Sequence, residues 1–176
     1  MTQPADFVAA NREAWNEAAP RHAAHNQARL KALFAEGRYN HLADEYIAML
    51  ERAGVSGKSV VQVCCNNGID LLSARAMGAG ECLGIDQAPA FLEQARELAV
   101  AAGYEDVTFL EANVYELPDG LAGRFDIAMT TIGVIGWMPD IRVFFEVVAG
   151  LLKPGGYWVV EEMHPVLLMY EPAPDG

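Results

Sequence analysis

The stretch "VVQVCCNNGID", residues 60–70, decides how the rest of the chain is interpreted. A β-branched run ends in a polar turn and an amphipathic segment follows, which is typical of a strand that enters a nucleotide-binding loop. Such loops are usually rich in glycine, but here cysteines and asparagines precede the first glycine, Gly68. Two interpretations follow: a cofactor-binding loop with unusual side chains, or a plain strand-to-helix turn.

The segments around this stretch alternate between strand-like and helix-like patterns. This alternation predicts βαβ units and an α/β fold, in which a parallel sheet carries helices on both faces. The predicted strands cover residues 59–64, 81–86, 107–112, 124–131 and 157–163, and the predicted helices cover 68–78, 89–103 and 140–152. A turn is predicted at "KPGG", just before the last strand.

The residues before this alternating region have helical periodicity throughout. Three helices are predicted, the first broken by Pro20 and the others closed by Gly37 and Gly54. We therefore divide the chain into a helical segment, 1–54, and an α/β core, 55–176, within a single domain.

The bulk composition excludes several classes of partner. The 176 residues carry a formal net charge of −12, and no basic cluster favours a nucleic-acid partner. No apolar span has the length of a membrane helix, so no membrane association is expected. The three cysteines lack metal-ligand spacing, which predicts reduced thiols, a cytoplasmic location and no metal site.

Unusual polar residues follow several predicted strands, at the rim of a parallel sheet where ligands bind. Asp86 follows the second strand, and its carboxylate can accept hydrogen bonds from a ribose diol or can cap the next helix. Asn113 follows the third strand. Its side-chain carbonyl and the N–H of Val114 can recognise an adenine, or Asn113 can simply close a turn.

Residues 58 to about 163 resemble the class I S-adenosylmethionine-dependent methyltransferases of small-molecule type. The similar segments, in order, are "VVQVCCNNG", "CLGID", "FLEANVYELP", "RFDIAMTTIGVIGWMPD" and "LLKPGGYWVVEE". The resemblance implies a Rossmann-like doubly wound parallel sheet with a helical N-terminal lid, for which "NREAWNEAAPRH" is the candidate. It also implies S-adenosylmethionine as cofactor, S-adenosylhomocysteine as product and a small-molecule substrate.

The resemblance assigns candidate residues to each part of the site. His164 is the candidate catalytic base, with a purely structural histidine as the alternative. The candidate substrate contacts are Trp137, Trp15 and His22, although both tryptophans suit packing roles as well. The candidate cofactor contacts are Cys64, Cys65, Asn66, Gly68, Asp86, Gln87, Asn113, Val114 and Thr130.

The chain departs from the family pattern at several positions. Gln62 stands where an aspartate is usual, so the support of the loop must differ. Cys64 and Asn66 stand where glycines are usual, and an asparagine such as Asn66 tolerates a positive φ, while Asn67 is a candidate cap for the next helix. The last two strands of the family sheet are missing from this chain, which leaves an apolar edge near "YWVV". The alternatives are that the chain is a fragment or has been cut, or that another chain, such as a second copy in a homodimer, completes or covers the edge.

Two other functions compete with methyl transfer. One is a non-catalytic protein that binds S-adenosylmethionine or S-adenosylhomocysteine. The other is a nicotinamide-dependent oxidoreductase, which the absence of a G-x-G-x-x-G loop disfavours.

Overall fold

The computed structural model describes residues 4–37, 39–164, 166 and 169–170. Predicted segments that extend into the remaining positions, including the end of the 55–176 core and Pro165, lie outside the described residues.

Five parallel strands form one sheet, as the sequence predicts. The strand order is β3-β2-β1-β4-β5, so β1 lies at the centre and its carboxyl end faces the same rim as its neighbours. The strands are β1 (Val60–Val63), β2 (Cys82–Asp86), β3 (Thr108–Glu111), β4 (Phe125–Thr130) and β5 (Leu152–Val160).

Helices cover both faces of this sheet. Side chains of β1 alternate between the two faces of the sheet. Val60 belongs to the hydrophobic core on the face covered by the helices between residues 28 and 102, whereas Val61 and Val63 belong to the core on the face covered by the last helix. This arrangement confirms the predicted doubly wound α/β fold. The helices are α1 (Pro4–His22), α2 (Ala28–Ala35), α3 (Asp44–Arg52), α4 (Ile69–Ala76), α5 (Pro89–Ala102) and α6 (Ile141–Leu151).

The prediction that Pro20 breaks the first helix is wrong. Pro20 lies inside α1, and a π-helical turn, Ala23–Gln27, continues the helix into α2. The carbonyl of Ala19 accepts a hydrogen bond from Gln94 Nε2 on α5 at 2.9 Å. A side chain of another element thus contacts the helix next to the change in helical register, and sequence periodicity does not show such a contact.

The last strand begins and ends earlier than predicted. Leu152 pairs with Phe125 and Tyr157 pairs with Ile127, so the intervening "KPGG" bulges out of the strand, with Gly155 at a φ of 80°. The strand ends at Val160 because its partner β4 ends at Thr130. The predicted turn is therefore a bulge within β5.

β5 occupies an edge of the described sheet, and Tyr157 on it is 57% exposed. The homodimer predicted to cover this edge stays a prediction. Within the described ranges, no helix combines the length and the apolarity needed to cross a bilayer. The cytoplasmic location likewise stays a prediction.

The N-terminal helices pack against two different parts of the protein. Leu30 and Phe34 of α2 and Leu50 of α3 belong to the same hydrophobic cluster as the sheet, whereas α1 lies over the carboxyl ends of the strands. Tyr46 anchors α3, because its buried hydroxyl donates a hydrogen bond to the Val159 carbonyl at 2.9 Å. Burial also raises the pKa of Tyr46, so the hydroxyl stays protonated and remains a donor.

We predict that Tyr46→Phe lowers the free energy of unfolding by about 1–3 kcal/mol, because the variant leaves the Val159 carbonyl without its buried donor. Tyr157→Phe is the matched control: Tyr157 is exposed, and its loss of a hydroxyl should change stability by less than about 0.5 kcal/mol. Urea denaturation measures the free energy of unfolding of both variants. If Tyr46→Phe loses no more of this free energy than Tyr157→Phe, the Tyr46 hydrogen bond contributes nothing to stability.

Candidate functional site

A pocket of about 260 Å³ lies beyond the carboxyl ends of the strands, between them and α1. The loops that follow β1, β2, β3 and β4 form its walls, and α1 contributes Val8, Asn11 and Trp15. The position is the one that a parallel sheet favours for ligand binding. Of the predicted cofactor contacts, those that line the pocket are Cys64, Cys65, Asn66, Asp86, Gln87, Asn113 and Val114.

The loop after β1 adopts two left-handed residues in place of glycines. Asn66 has a φ of 51°, as expected of an asparagine substituting for glycine, and Cys64, the other residue at a usual glycine position, has a φ of 54°. The Asn66 side chain accepts a hydrogen bond from Asn67 N at 2.7 Å. Asn67 is not the helix cap that the sequence predicts, because Gly68 takes the N-cap position of α4 with a φ of 71°.

Gly68 lies beneath the pocket wall and does not line the pocket. A Cβ at this position would lie 2.7 Å from Phe109 Cε1 and 3.0 Å from the Ala95 methyl. The glycine therefore allows α4 to begin against α5 and β3, whereas the sequence analysis assigned it to the cofactor.

Asp86 ties the first two strand-end loops together. Its carboxylate accepts a hydrogen bond from Asn66 N at 2.8 Å through one oxygen and from Ala88 N at 2.9 Å through the other. Burial raises the pKa of Asp86, and these hydrogen bonds partly offset that effect. A carboxylate has about four acceptor sites, so two bonds leave capacity for a ligand hydroxyl. The ribose contact stays a prediction.

Asn113 closes a turn after β3. Its Oδ1 atom accepts a hydrogen bond from Tyr115 N at 3.1 Å, which is the structural role that the sequence left open. Asn113 and the buried Val114 still line the pocket, next to Gln87. The adenine contact stays a prediction.

Two tryptophans in the pocket lining, one on α1 and one on the loop after β4, contact each other. Trp15 and Trp137 meet edge to face with ring centroids 5.1 Å apart, and Trp15 also meets Phe91 at 6.0 Å. Asn11 Nδ2 donates a hydrogen bond to the Trp137 carbonyl at 3.0 Å. These contacts join α1 to the loop after β4; Asn11 lies in the predicted lid segment, but no local pattern singles it out.

Besides Gly68, three more of the predicted site residues lie outside the pocket lining. His22 is exposed and contacts Phe91 edge to face at 5.4 Å. His164 is also exposed, and its Nδ1 accepts a hydrogen bond from Val166 N at 3.3 Å, which is the structural role. Thr130 is fully buried, with its hydroxyl accepting a hydrogen bond from Trp158 Nε1 at 2.9 Å.

The neighbouring threonine replaces Thr130 at the pocket. Thr131 lines the pocket, and its hydroxyl lies 3.2 Å from the donor Gln62 Nε2. Gln62 is buried, and its Oε1 has no hydrogen-bond partner among the described residues. The residue that replaces the usual aspartate thus supports the β4 end and not the β1 loop.

The pocket cysteines are neutral thiols. Burial raises the pKa of Cys64, and the nearby Asp86 carboxylate raises it further. The same two causes raise the pKa of Cys65. All three cysteines are free, and among the described residues no group of three or more potential ligands is placed to hold a metal ion.

Comparison with known proteins identifies the family. A family model for methyltransferase domains matches residues 60–156, more than half of the chain. The solved structure of an S-adenosylmethionine-dependent methyltransferase from Mesorhizobium loti is similar at 28% identity, with a TM-score of 0.60 over 69% of this chain and 52% of that one.

Two curated methyltransferases are similar to part of this chain. The ubiquinone biosynthesis O-methyltransferase of Pseudomonas paraeruginosa is 36% identical over 110 residues, which are 60% of this chain and 44% of that protein. The ribosomal protein L11 methyltransferase of Vibrio cholerae is 31% identical over 110 residues, 61% and 34% of the two proteins. The matched part of the chain therefore spans less than half the length of either relative.

We predict that Gly68→Ala destabilises the protein more than Gly37→Ala does. Both glycines have a φ near 71°, so both variants incur about 1–2 kcal/mol of left-handed strain. Only at Gly68 does the new methyl collide with a neighbour, which adds about 1–3 kcal/mol, because Gly37 has open space around it. Equal losses in urea denaturation would mean that Phe109 moves aside freely.

Proposed function

Because the chain belongs to the methyltransferase domain family, we propose that it transfers a methyl group from S-adenosylmethionine to a small-molecule acceptor. The observation that carries this proposal is the pocket at the carboxyl ends of the strands, with Asp86 in its wall and α1 across its opening.

The polar residues that line the pocket fit S-adenosylmethionine. Asp86 has acceptor capacity left for a ribose hydroxyl, and Asn113 with Val114 lies beside it for the adenine. The charged residues among those lining the pocket are Asp70 and Asp86, with no lysine, arginine or histidine in this part of the described chain. The sulfonium cation of the cofactor would therefore lie among carboxylates and aromatic faces, with no cationic side chain among the described residues of the pocket lining to repel it.

The closure of α1 supports a small acceptor. Asn11 and Trp15 contact Trp137 directly, so the opening on this side is blocked by side chains that a protein substrate would have to displace. The aromatic wall and the acidic lining favour an acceptor that is uncharged or cationic over an anionic one.

The contribution of the protein is positioning. S-adenosylmethionine, when bound, supplies a methyl group that its sulfonium already activates. Holding reactants in line can contribute about 7–11 kcal/mol in the best cases, which removes the need for a strong protein catalyst. The exposed position of His164 agrees with a mechanism in which acceptor and cofactor are held by the walls of the pocket.

One observation favours the non-catalytic alternative. The pocket lining contains no histidine or lysine that would accept a proton from a hydroxyl or an ammonium acceptor. Titration calorimetry with S-adenosylhomocysteine tests the shared requirement of both functions, and failure to bind would overturn both. Transfer of a labelled methyl group to a panel of uncharged, cationic and anionic metabolites, with ribosomal protein L11 as the macromolecular comparison, then separates enzyme from binder.

We predict that Asp86→Asn weakens binding of S-adenosylhomocysteine at least tenfold, or about 1.4 kcal/mol. The amide cannot accept from both Asn66 N and Ala88 N while also receiving a ribose hydroxyl. Asp106→Asn is the control, because Asp106 is exposed, pairs with Arg75 at 3.0 Å and lies before β3, away from the rim.

Calorimetry of both variants at a temperature at which they remain folded gives the comparison. The control should bind within about twofold of the unmodified protein. Unchanged affinity in Asp86→Asn would restrict this carboxylate to its structural role and contradict the ribose assignment.

A further inference from the structure

Glu162 hydrogen-bonds to the loop after β4 from outside the pocket. The residue follows the end of β5, and one carboxylate oxygen accepts a hydrogen bond from Gly133 N at 2.7 Å while the other accepts from Ile135 N at 2.8 Å. The first oxygen also accepts from Met163 N at 2.9 Å. A single side chain thus satisfies two backbone donors of a loop that lies about thirty residues earlier in the chain.

These hydrogen bonds involve a charged group. Burial acts to raise the pKa of Glu162, but the backbone N–H groups outweigh it and lower the pKa below its usual value. The carboxylate is therefore ionised near neutral pH. Hydrogen bonds to an ionised acceptor are shorter and roughly twice as strong as neutral ones, which suits a loop that must keep one shape.

The loop that Glu162 holds forms one wall of the pocket. Its residues 131–134 and 137–139 line the pocket, and a 3-10 turn, Ile135–Trp137, connects the two parts. Trp137 N donates a hydrogen bond to the Val134 carbonyl at 3.0 Å, and the Trp137 carbonyl accepts from Asn11 on α1. Glu162 itself does not line the pocket, yet this sequence of contacts connects it to the helix across the opening.

We propose that Glu162 is a positioning residue, which fixes the loop after β4 and, through Trp137 and Asn11, the closure of α1 over the pocket. The inference goes beyond the proposed function, because it assigns a role to a side chain outside the pocket. It rests on the proposed function only where a cofactor analogue serves as the probe.

Glu162→Gln is the informative variant. Glutamine has the same length but only one acceptor oxygen, so one of the two loop N–H groups loses its partner and faces an amide donor instead. Glu161→Gln is the matched control, since it changes the adjacent carboxylate and keeps every contact that Glu162 makes.

Hydrogen exchange of the ligand-free protein tests the coupling. In Glu162→Gln, amides of 131–137 and of 6–16 in α1 should exchange at least tenfold faster, while those of α2 and α5 keep their protection. The control should match the unmodified protein. Faster exchange in the loop alone would show a local structural role and overturn the proposal, as would unchanged exchange in both segments.

Asn11→Ala tests the same coupling from the other end, because an energetic coupling between two sites is reciprocal. This variant should speed exchange at 133–137, and it keeps the test decisive if Glu162→Gln does not fold. Protection at 133–137 that Asn11→Ala leaves unchanged would overturn the proposal.

Binding of S-adenosylhomocysteine adds a double-mutant cycle. Glu162→Gln and Asn11→Ala should each weaken binding, by about tenfold for Glu162→Gln. The affinity of the double variant should equal that of whichever single variant binds less tightly. Additive losses would overturn the coupling. If the unmodified protein does not bind this analogue, the proposed function fails, whereas the exchange experiment still decides the role of Glu162.

Discussion

The hydrogen bonds of the Asp86 carboxylate are the constraint on which the site depends. β1 and β2 are parallel neighbours, so their carboxyl ends lie side by side, and Asp86 binds Asn66 N of one loop and Ala88 N of the other. A left-handed residue other than glycine costs roughly 1–2 kcal/mol. The loop accepts this cost at Cys64 and Asn66 because the carboxylate fixes the backbone from outside the loop.

The elements that sequence periodicity reports were predicted well. Each predicted strand of the core corresponds to a strand of the sheet, and Gly37 and Gly103 follow α2 and α5 with positive φ values, as helix-ending glycines do. Asp86 was also placed at the ligand rim from sequence, because its position at the end of a buried strand is itself a local pattern, whereas its ribose contact stays a prediction. The family match agrees with the order of the motifs on these elements.

Several of the errors share one physical cause, which is that the deciding partner lies far away in the chain. Gln94 of α5 hydrogen-bonds to the helix beside Pro20. Trp158 hydrogen-bonds to the buried Thr130, and Thr131 lines the pocket. The contact between Asn11 and Trp137 joins residues 126 positions apart. No local period carries such information, so the cover of the pocket was predicted only as a general lid.

The cysteines of the β1 loop have a consequence for chemical durability. A sulfonium methyl donor alkylates good nucleophiles, and the nucleophile that a cysteine offers is its thiolate. Burial and the Asp86 carboxylate keep Cys64 protonated, so a thiol that lines the pocket presents a poor target. Burial and the carboxylate that organises the loop would thereby together lower the reactivity of Cys64 toward the sulfonium cofactor of the proposed function.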